Sequence, residues 1–102
     1  MKTVYISGQI TGNPVYLAQF QNAEALLTRN GYKAINMAAL LKDFSDRPWE
    51  DLMRICLNYL ELADEIAMLP NWKNSKGACM EYGYAGGRGI PIRSIEDYKK
   101  ED

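Results

Sequence analysis

Short β-rich runs alternate with amphipathic helical segments along this 102-residue chain. The first run, residues 4–7, ends at Gly8, and the next segment places apolar side chains at helical spacing. Strands are predicted over residues 4–7, 32–36, 65–69 and 90–92, and helices over 15–30, 46–63 and 75–88. We expect residues 37–47 to be irregular, 70–74 to form a loop, and 93–102 to be a polar C-terminal tail.

This alternation, with connections of only a few residues, predicts an α/β fold. A parallel crossover needs a helix to return the chain, so the sheet should be parallel with helices on both faces. We expect one domain over residues 1–102: a small, doubly wound, flavodoxin- or Rossmann-like sheet of about four strands in the order 2-1-3-4. That order creates a switch point between strands 1 and 3, where ligands bind at the carboxyl ends of the strands.

Charge and residue types exclude several function classes. The 12 basic and 13 acidic residues are balanced, so a surface for duplex nucleic acid is not expected. The chain has no histidine, and Cys56 and Cys79 lack metal-ligand spacing, so we predict no metal and no cofactor. Two cysteines are too few for a disulfide framework, and no apolar run is long enough to span a bilayer. We therefore expect a soluble, cytoplasmic protein without a membrane partner.

Two loops would line the predicted crevice, residues 7–14 and 70–77. Both are rich in glycine, asparagine and serine, which let backbone N–H groups approach a ligand. The same residues are common in ordinary turns, and the residues alone leave these two interpretations equally open. Residues 8–12 do not form a GxGxxG motif, so no dinucleotide fingerprint is present.

Glu81 is the candidate reactive group. It lies near the start of the third predicted helix among small residues, where the helix dipole would keep its carboxylate ionised. An ionised carboxylate can attack an anomeric carbon, as in glycoside chemistry. Most glutamates on helices are simply solvated, and the residues by themselves favour that alternative.

The sequence resembles the nucleoside 2-deoxyribosyltransferases and their small relatives, which include the deoxynucleoside 5′-monophosphate N-glycosidases. The resemblance covers residues 2–92 and rests on three motifs: residues 4–8, residues 63–70, and the block 75–81 ahead of Ala85 and 89–92. It implies that Glu81 attacks C1′ of a deoxyribose, displaces the base and forms a glycosyl-enzyme intermediate. It also implies that Tyr5 orients this carboxylate and that Ser75 contacts the sugar or phosphate.

Both implied roles have structural alternatives. An aromatic residue on a strand is usually part of the core, which would account for Tyr5. Ser75 also stands where an N-cap of the third helix is expected, and that role is compatible with ligand contact.

This chain departs from the family pattern at two positions. Active members commonly carry an aspartate as proton donor eight residues before the position of Asp64, and here that residue is Cys56. A buried thiol is a poor proton donor near neutrality. Thr11 replaces the arginine of the monophosphate enzymes, which makes phosphate recognition less certain than nucleoside recognition. Asp64 either takes part in the site directly or holds its loops as a strand-start residue.

These observations predict an enzyme of base transfer or hydrolysis on a deoxyribonucleoside or its 5′-monophosphate. Glu81 and Tyr5 would be catalytic, and the expected substrate-binding residues are Gly8, Gln9, Asp64, Trp72, Ser75 and Gly77. Trp72 would stack on the base, or it would be a hydrophobic lid or an interface residue. The alternatives are a non-catalytic nucleotide-binding module and an interaction domain that keeps only the fold. The resemblance also implies a homo-oligomer, a dimer or larger, with shared sites.

Overall fold

The computed structural model describes residues 1–102 and contains four strands and five helices. The strands are β1 (Thr3–Ser7), β2 (Lys33–Ile35), β3 (Glu65–Met68) and β4 (Ile92–Ser94). The helices are α1 (Tyr16–Arg29), α2 (Met37–Leu40), α3 (Trp49–Leu60), α4 (Lys76–Arg88) and α5 (Ile95–Lys99). Single 3₁₀ turns occur at Lys42–Phe44 and Trp72–Asn74. None of the helices is both long and apolar enough to cross a bilayer.

The four strands form one parallel sheet in the order β2-β1-β3-β4, which confirms the predicted fold class and strand order. In the register of the central pair, Val4 lies beside Glu65 and Ser7 beside Met68. All of β3, and β1 from Val4 onward, are buried, as expected for strands covered on both faces.

Side-chain alternation along β1 assigns its residues to two separate cores. Val4 and Ile6 pack with α1 and α5, whereas Tyr5 packs with α3 and α4 on the opposite face. Because the side-chain period of a strand is two, Ser7 lies on the same face as Tyr5. This face of the sheet, beneath α4, carries the candidate site.

The segment predicted to be irregular, residues 37–47, contains the helix α2 and a 3₁₀ turn. Asn36 starts α2, because its side-chain oxygen accepts the N–H of Ala39 at 3.1 Å. A single four-residue helix is too short to show helical periodicity in sequence. Met37 and Ala38 are buried, so the segment is not a surface loop. It forms part of the wall of a cavity beside α3.

The prediction of a polar tail over residues 93–102 is wrong. Residues 93 and 94 belong to β4, and α5 follows immediately with a capping box between Ser94 and Asp97. Tyr98 is fully buried, and its hydroxyl donates to Glu65 at 2.7 Å. Burial alone would raise the pKa of Glu65, but hydrogen bonds from Lys2, Tyr98 and Arg93 hold it below its ordinary value. The charges of this segment therefore serve internal ion pairs.

Candidate active site

A cavity of about 530 Å³ opens where β1 and β3 end. One side is formed by the loop after β1, with Gly8 and Thr11, and another by the start of α4, with Ser75 and Gly77. The remaining wall comes from α2, α3 and the segment between them, and it is mostly apolar. Its apolar members are Met37, Ala38, Leu41, Trp49, Leu52, Met53 and Cys56.

Glu81 lies in the second turn of α4 and reaches into this cavity. Its side chain is only 6% exposed. The Ser7 hydroxyl donates to one carboxylate oxygen at 2.7 Å, and the Tyr5 hydroxyl donates to the other. Both donors come from the same face of β1, so the strand and the helix together fix the orientation of the carboxylate. Glu81 is therefore not the solvated helix residue that its residue type alone would favour.

Burial dominates the protonation of this group. It raises the pKa of Glu81 to about 7, against the hydrogen bonds from Ser7 and Tyr5, which lower it. The helix dipole was expected to keep Glu81 ionised. That expectation is wrong near neutral pH, because burial raises the pKa of the carboxyl group. Near neutral pH both protonation states are populated, which is the range in which a carboxyl group can exchange roles during a reaction.

A glutamine at position 81 is expected to stabilise the fold at about pH 8.5 but not at about pH 4.5. Between the ordinary value of 4.5 and about 7, the folded protein binds more protons at Glu81 than the unfolded chain. The stability of the wild type therefore falls as pH rises through this window, by about 3 kcal/mol in total. Glutamine does not titrate, so the free energy of unfolding of Glu81→Gln does not decrease in this way. Urea unfolding of both proteins across the window checks this, and a stability difference that is independent of pH would contradict it.

Two glycines allow the close packing that shapes the cavity. A Cβ at Gly8 would lie 2.7 Å from a side-chain carbon of Leu69, so only glycine lets the end of β1 approach the end of β3. A Cβ at Gly77 would lie 3.1 Å from the sulfur of Met53, where α4 passes close to α3. Ser75 is the N-cap of α4, as expected, because its hydroxyl oxygen accepts the N–H of Ala78 at 3.0 Å. All three residues also line the cavity.

Cys56 lies on α3 and lines the same cavity as Glu81, within the buried cluster that contains Tyr5. Burial, followed by the negative charge of Glu81, raises the pKa of this thiol to about 11. Cys79 is exposed and does not line the cavity. Cys56 therefore lines the cavity with Glu81, but its thiol stays protonated near neutral pH.

Three of the residues expected to bind substrate lie outside the cavity. Asp64 precedes β3 at the amino end of the sheet, opposite the site, and its carboxylate accepts the N–H of Thr3 at 2.8 Å. This position agrees with the strand-start alternative, because the contact of Asp64 is to the start of β1 and not to the loops of the site. The ring of Trp72 stacks on Tyr82 at 4.5 Å, and Gln9 connects the two loops, with its N–H 3.4 Å from the side-chain oxygen of Asn71.

Two further residues of the site have no role in the sequence prediction. Ser7 lies in the predicted crevice loop over residues 7–14, and its hydroxyl donates to Glu81. Trp49 lies within the helix predicted over residues 46–63, and it lines the cavity with the ammonium of Lys76 at 4.6 Å from its ring centroid. The period-two pattern of β1 was the available signal for Ser7, since it places Ser7 on the face of Tyr5. No sequence signal distinguishes Trp49 from a core residue.

A comparison with known protein families identifies the family to which the chain belongs. The model of a family described as a domain of unknown function, DUF4406, matches residues 2–94. The chain belongs to the DUF4406 family. No curated protein matches its sequence.

The fold of this DUF4406 chain is that of a deoxyribosyltransferase. It is similar to the solved structure of a 2-deoxyribosyltransferase from the psychrotolerant bacterium Bacillus psychrosaccharolyticus, with a TM-score of 0.72 and 18% sequence identity. The match covers 90% of the DUF4406 chain and 70% of the other chain. The resemblance found in the sequence is thus confirmed at the level of the fold.

Proposed function

We propose that this protein acts on the N-glycosidic bond of a deoxyribonucleoside or its 5′-monophosphate, by base transfer or hydrolysis. The observation that carries the proposal is the geometry of Glu81: a buried carboxyl group inside a cavity, held by two hydroxyl groups from one strand. The cavity is large enough for a small ligand and has an apolar wall beside the carboxyl group. The shared fold supports the same assignment, because the similar solved protein is a 2-deoxyribosyltransferase.

In the proposed reaction an oxygen of Glu81 attacks C1′ of the sugar. A C–O bond forms, the C1′–N bond breaks, and its electron pair leaves with the base. Water then attacks C1′ to complete hydrolysis, or the nitrogen of a second base attacks to complete transfer. Glu81 is released in either case.

Tyr5 and Ser7 position the nucleophile and favour its ionised form. We assign Gly8, Ser75 and Gly77 to the sugar or phosphate, because they line the cavity where backbone N–H groups at the start of α4 are available. Thr11 lines the same region in place of an arginine. Binding of a substrate phosphate would therefore depend on the start of α4 rather than on a guanidinium group.

Tyr5→Phe is expected to shift the acid limb of the pH–rate profile to higher pH. The phenol donates to Glu81 and lowers its pKa, so its removal leaves burial less opposed and raises that pKa. Activity above the shifted pKa should be largely retained. The measurement is kcat/KM against pH for wild type and Tyr5→Phe. An unshifted limb would contradict the positioning role, and an equal loss of activity at every pH would point to a different one.

The experiment that tests the proposed function is incubation with a pool of deoxyribonucleosides and their 5′-monophosphates, followed by mass-spectrometric detection of free bases. Release above that of a buffer control is the expected result. A pool that stays intact would contradict catalysis and favour a non-catalytic nucleotide-binding module. The buried thiol of Cys56 is the observation that favours this second candidate. Melting-temperature shifts with individual nucleotides would then separate it from a domain that binds none of them.

We also propose a homo-oligomer, a dimer or larger, that covers the open side of the cavity. A symmetric dimer is the simplest arrangement. Size-exclusion chromatography with light scattering at micromolar concentration is expected to give a mass above the 11.6 kDa of one chain. A mass of one chain would contradict shared sites.

A further inference from the structure

The part of the cavity around Glu81, from which the base would leave, has few groups that can donate a proton. When a C1′–N bond breaks, an ordinary base departs as an anion and must be protonated, a step to which an enzyme's general acid typically contributes about 10²- to 10⁴-fold. The ionisable residues that line this cavity are Tyr16, Lys42, Glu50, Cys56, Lys76 and Glu81. Lys42, Glu50 and Lys76 are exposed at its rim, and Tyr16 is half-buried on the far side, at the start of α1. Next to Glu81, Cys56 is the only ionisable group of the buried cavity wall, and the hydroxyls of Tyr5 and Ser7 are already committed to Glu81 itself.

Cys56 does not replace a carboxylic acid here. Cys56 belongs to a buried cluster with Met37, Met68 and Leu60, so a thiolate would be poorly solvated, and it would also be close to the negative charge of Glu81. Both effects raise the pKa of the thiol to about 11, far above the range in which an acid readily cycles a proton near neutral pH. A hydrogen bond with Tyr5 opposes these effects but does not outweigh them.

Building on the function proposed above, we propose that the substrates are deoxynucleosides whose base can leave without receiving a proton, specifically those with a cationic, N7-alkylated purine. The buried wall around Cys56 supplies no ready proton donor, and such a leaving group needs none.

The bond changes balance without a general acid. Glu81 forms a bond to C1′, the C1′–N9 bond breaks, and its electron pair neutralises the positive charge of the alkylated ring. The base departs as a neutral molecule. Water then adds its oxygen to C1′, loses a proton to solvent, and frees Glu81. An unmodified purine would leave as an anion in the same site.

The surroundings of Glu81 favour a cationic base in a second way. Burial holds much of Glu81 in its protonated, unreactive form, and a positive charge bound nearby would favour the ionised nucleophile. A neutral base would bury Glu81 further and have the opposite effect. The indole of Trp49 lines the cavity and already pairs with a cation, the ammonium of Lys76 at 4.6 Å from its ring centroid; a cationic base would have to displace that ammonium to stack there. Lys42 and Lys76 lie at the exposed rim, where solvent screens their charges.

The test compares 2′-deoxyguanosine with N7-methyl-2′-deoxyguanosine, using wild type, Cys56→Asp and Glu81→Gln. Release by Glu81→Gln is subtracted as background. We expect wild-type kcat/KM to be at least about 10²-fold higher for the methylated substrate. Cys56→Asp should narrow this ratio by accelerating the unmodified substrate much more than the methylated one, since only the unmodified base needs the added acid. The ratio of kcat/KM for the methylated substrate to that for the unmodified one, measured with wild type, tests the inference even if Cys56→Asp fails to fold.

The outcomes separate this inference from the proposed function. If wild type cleaves both substrates equally well and Glu81→Gln cleaves neither, the proposed function stands and the inference is overturned. An equal acceleration of both substrates by Cys56→Asp would also overturn it. If no substrate is cleaved faster by wild type than by Glu81→Gln, the proposed function itself fails, and the inference fails with it.

Discussion

Replacing Glu81 with glutamine is expected to abolish base release while a neutral deoxynucleoside still binds. Glutamine keeps the shape of the side chain and can still pair with the hydroxyls of Ser7 and Tyr5, but it has no carboxylate to attack C1′. Loss of a nucleophile typically lowers turnover by about 10⁴- to 10⁶-fold. Turnover should be measured at about pH 8, where most of the wild-type Glu81 is ionised.

The matched control is Glu96→Gln, the same substitution on the exposed side of α5, away from the cavity. It is expected to keep wild-type turnover. Nucleoside binding by Glu81→Gln should be verified by calorimetry so that a loss of turnover is assigned to chemistry. Base release that survives in Glu81→Gln would eliminate the proposed mechanism.

Cys56→Asp is expected to raise release of an unmodified base by up to about 10²- to 10⁴-fold, the usual contribution of a general acid. Residue 56 lines the cavity beside Glu81, so a carboxyl group there would face the departing base. Its burial, together with the nearby charge of Glu81, would keep it protonated near neutral pH, as a proton donor must be.

Cys56→Ser is the control for this substitution, because serine has nearly the size of cysteine and is not an acid at neutral pH. It should give no gain in activity. A buried aspartate also carries a desolvation cost, so the melting temperature of Cys56→Asp should fall somewhat even if activity rises. A variant that melts lower and shows no gain in base release would assign Cys56 to the core alone.

The sheet could be predicted from sequence because its strands are short, apolar and separated by helices of clear periodicity. Residues 4–7 and 65–69 read as fully buried strands, and they form the centre of the sheet. The last strand is predicted at residues 90–92, but its continuation to Ser94 and the helix α5 could not be predicted, because Ile95 and Tyr98 are their only apolar residues among charged ones. The charges of Arg93 and Glu101 look solvated in sequence, but Arg93 lies over the ring of Tyr98 and pairs with Glu65 and Glu101.

The site could be predicted only where a residue is tied to a regular element. Glu81 and Tyr5 come together because α4 and β1 are regular elements that pack on one face of the sheet. Trp72 and Gln9 lie in loops, and a loop side chain has no periodicity that fixes its direction. Asp64 lies away from the cavity because a residue that precedes a strand is at the amino edge of the sheet. Trp49 could not be assigned to the site because nothing in the pattern of the helix predicted over residues 46–63 distinguishes it from a core residue.

The central claim is that Glu81 forms a covalent bond to C1′ of a deoxynucleoside. The most direct measurement is peptide mass spectrometry after incubation with a 2′-fluorinated deoxynucleoside, whose electron-withdrawing fluorine slows breakdown of the sugar ester. We expect the peptide that contains Glu81 to carry one fluorodeoxyribosyl group, with an equivalent burst of free base, and neither signal in Glu81→Gln. A burst of free base with the Glu81 peptide unmodified, or the sugar attached to another residue, would contradict the claim.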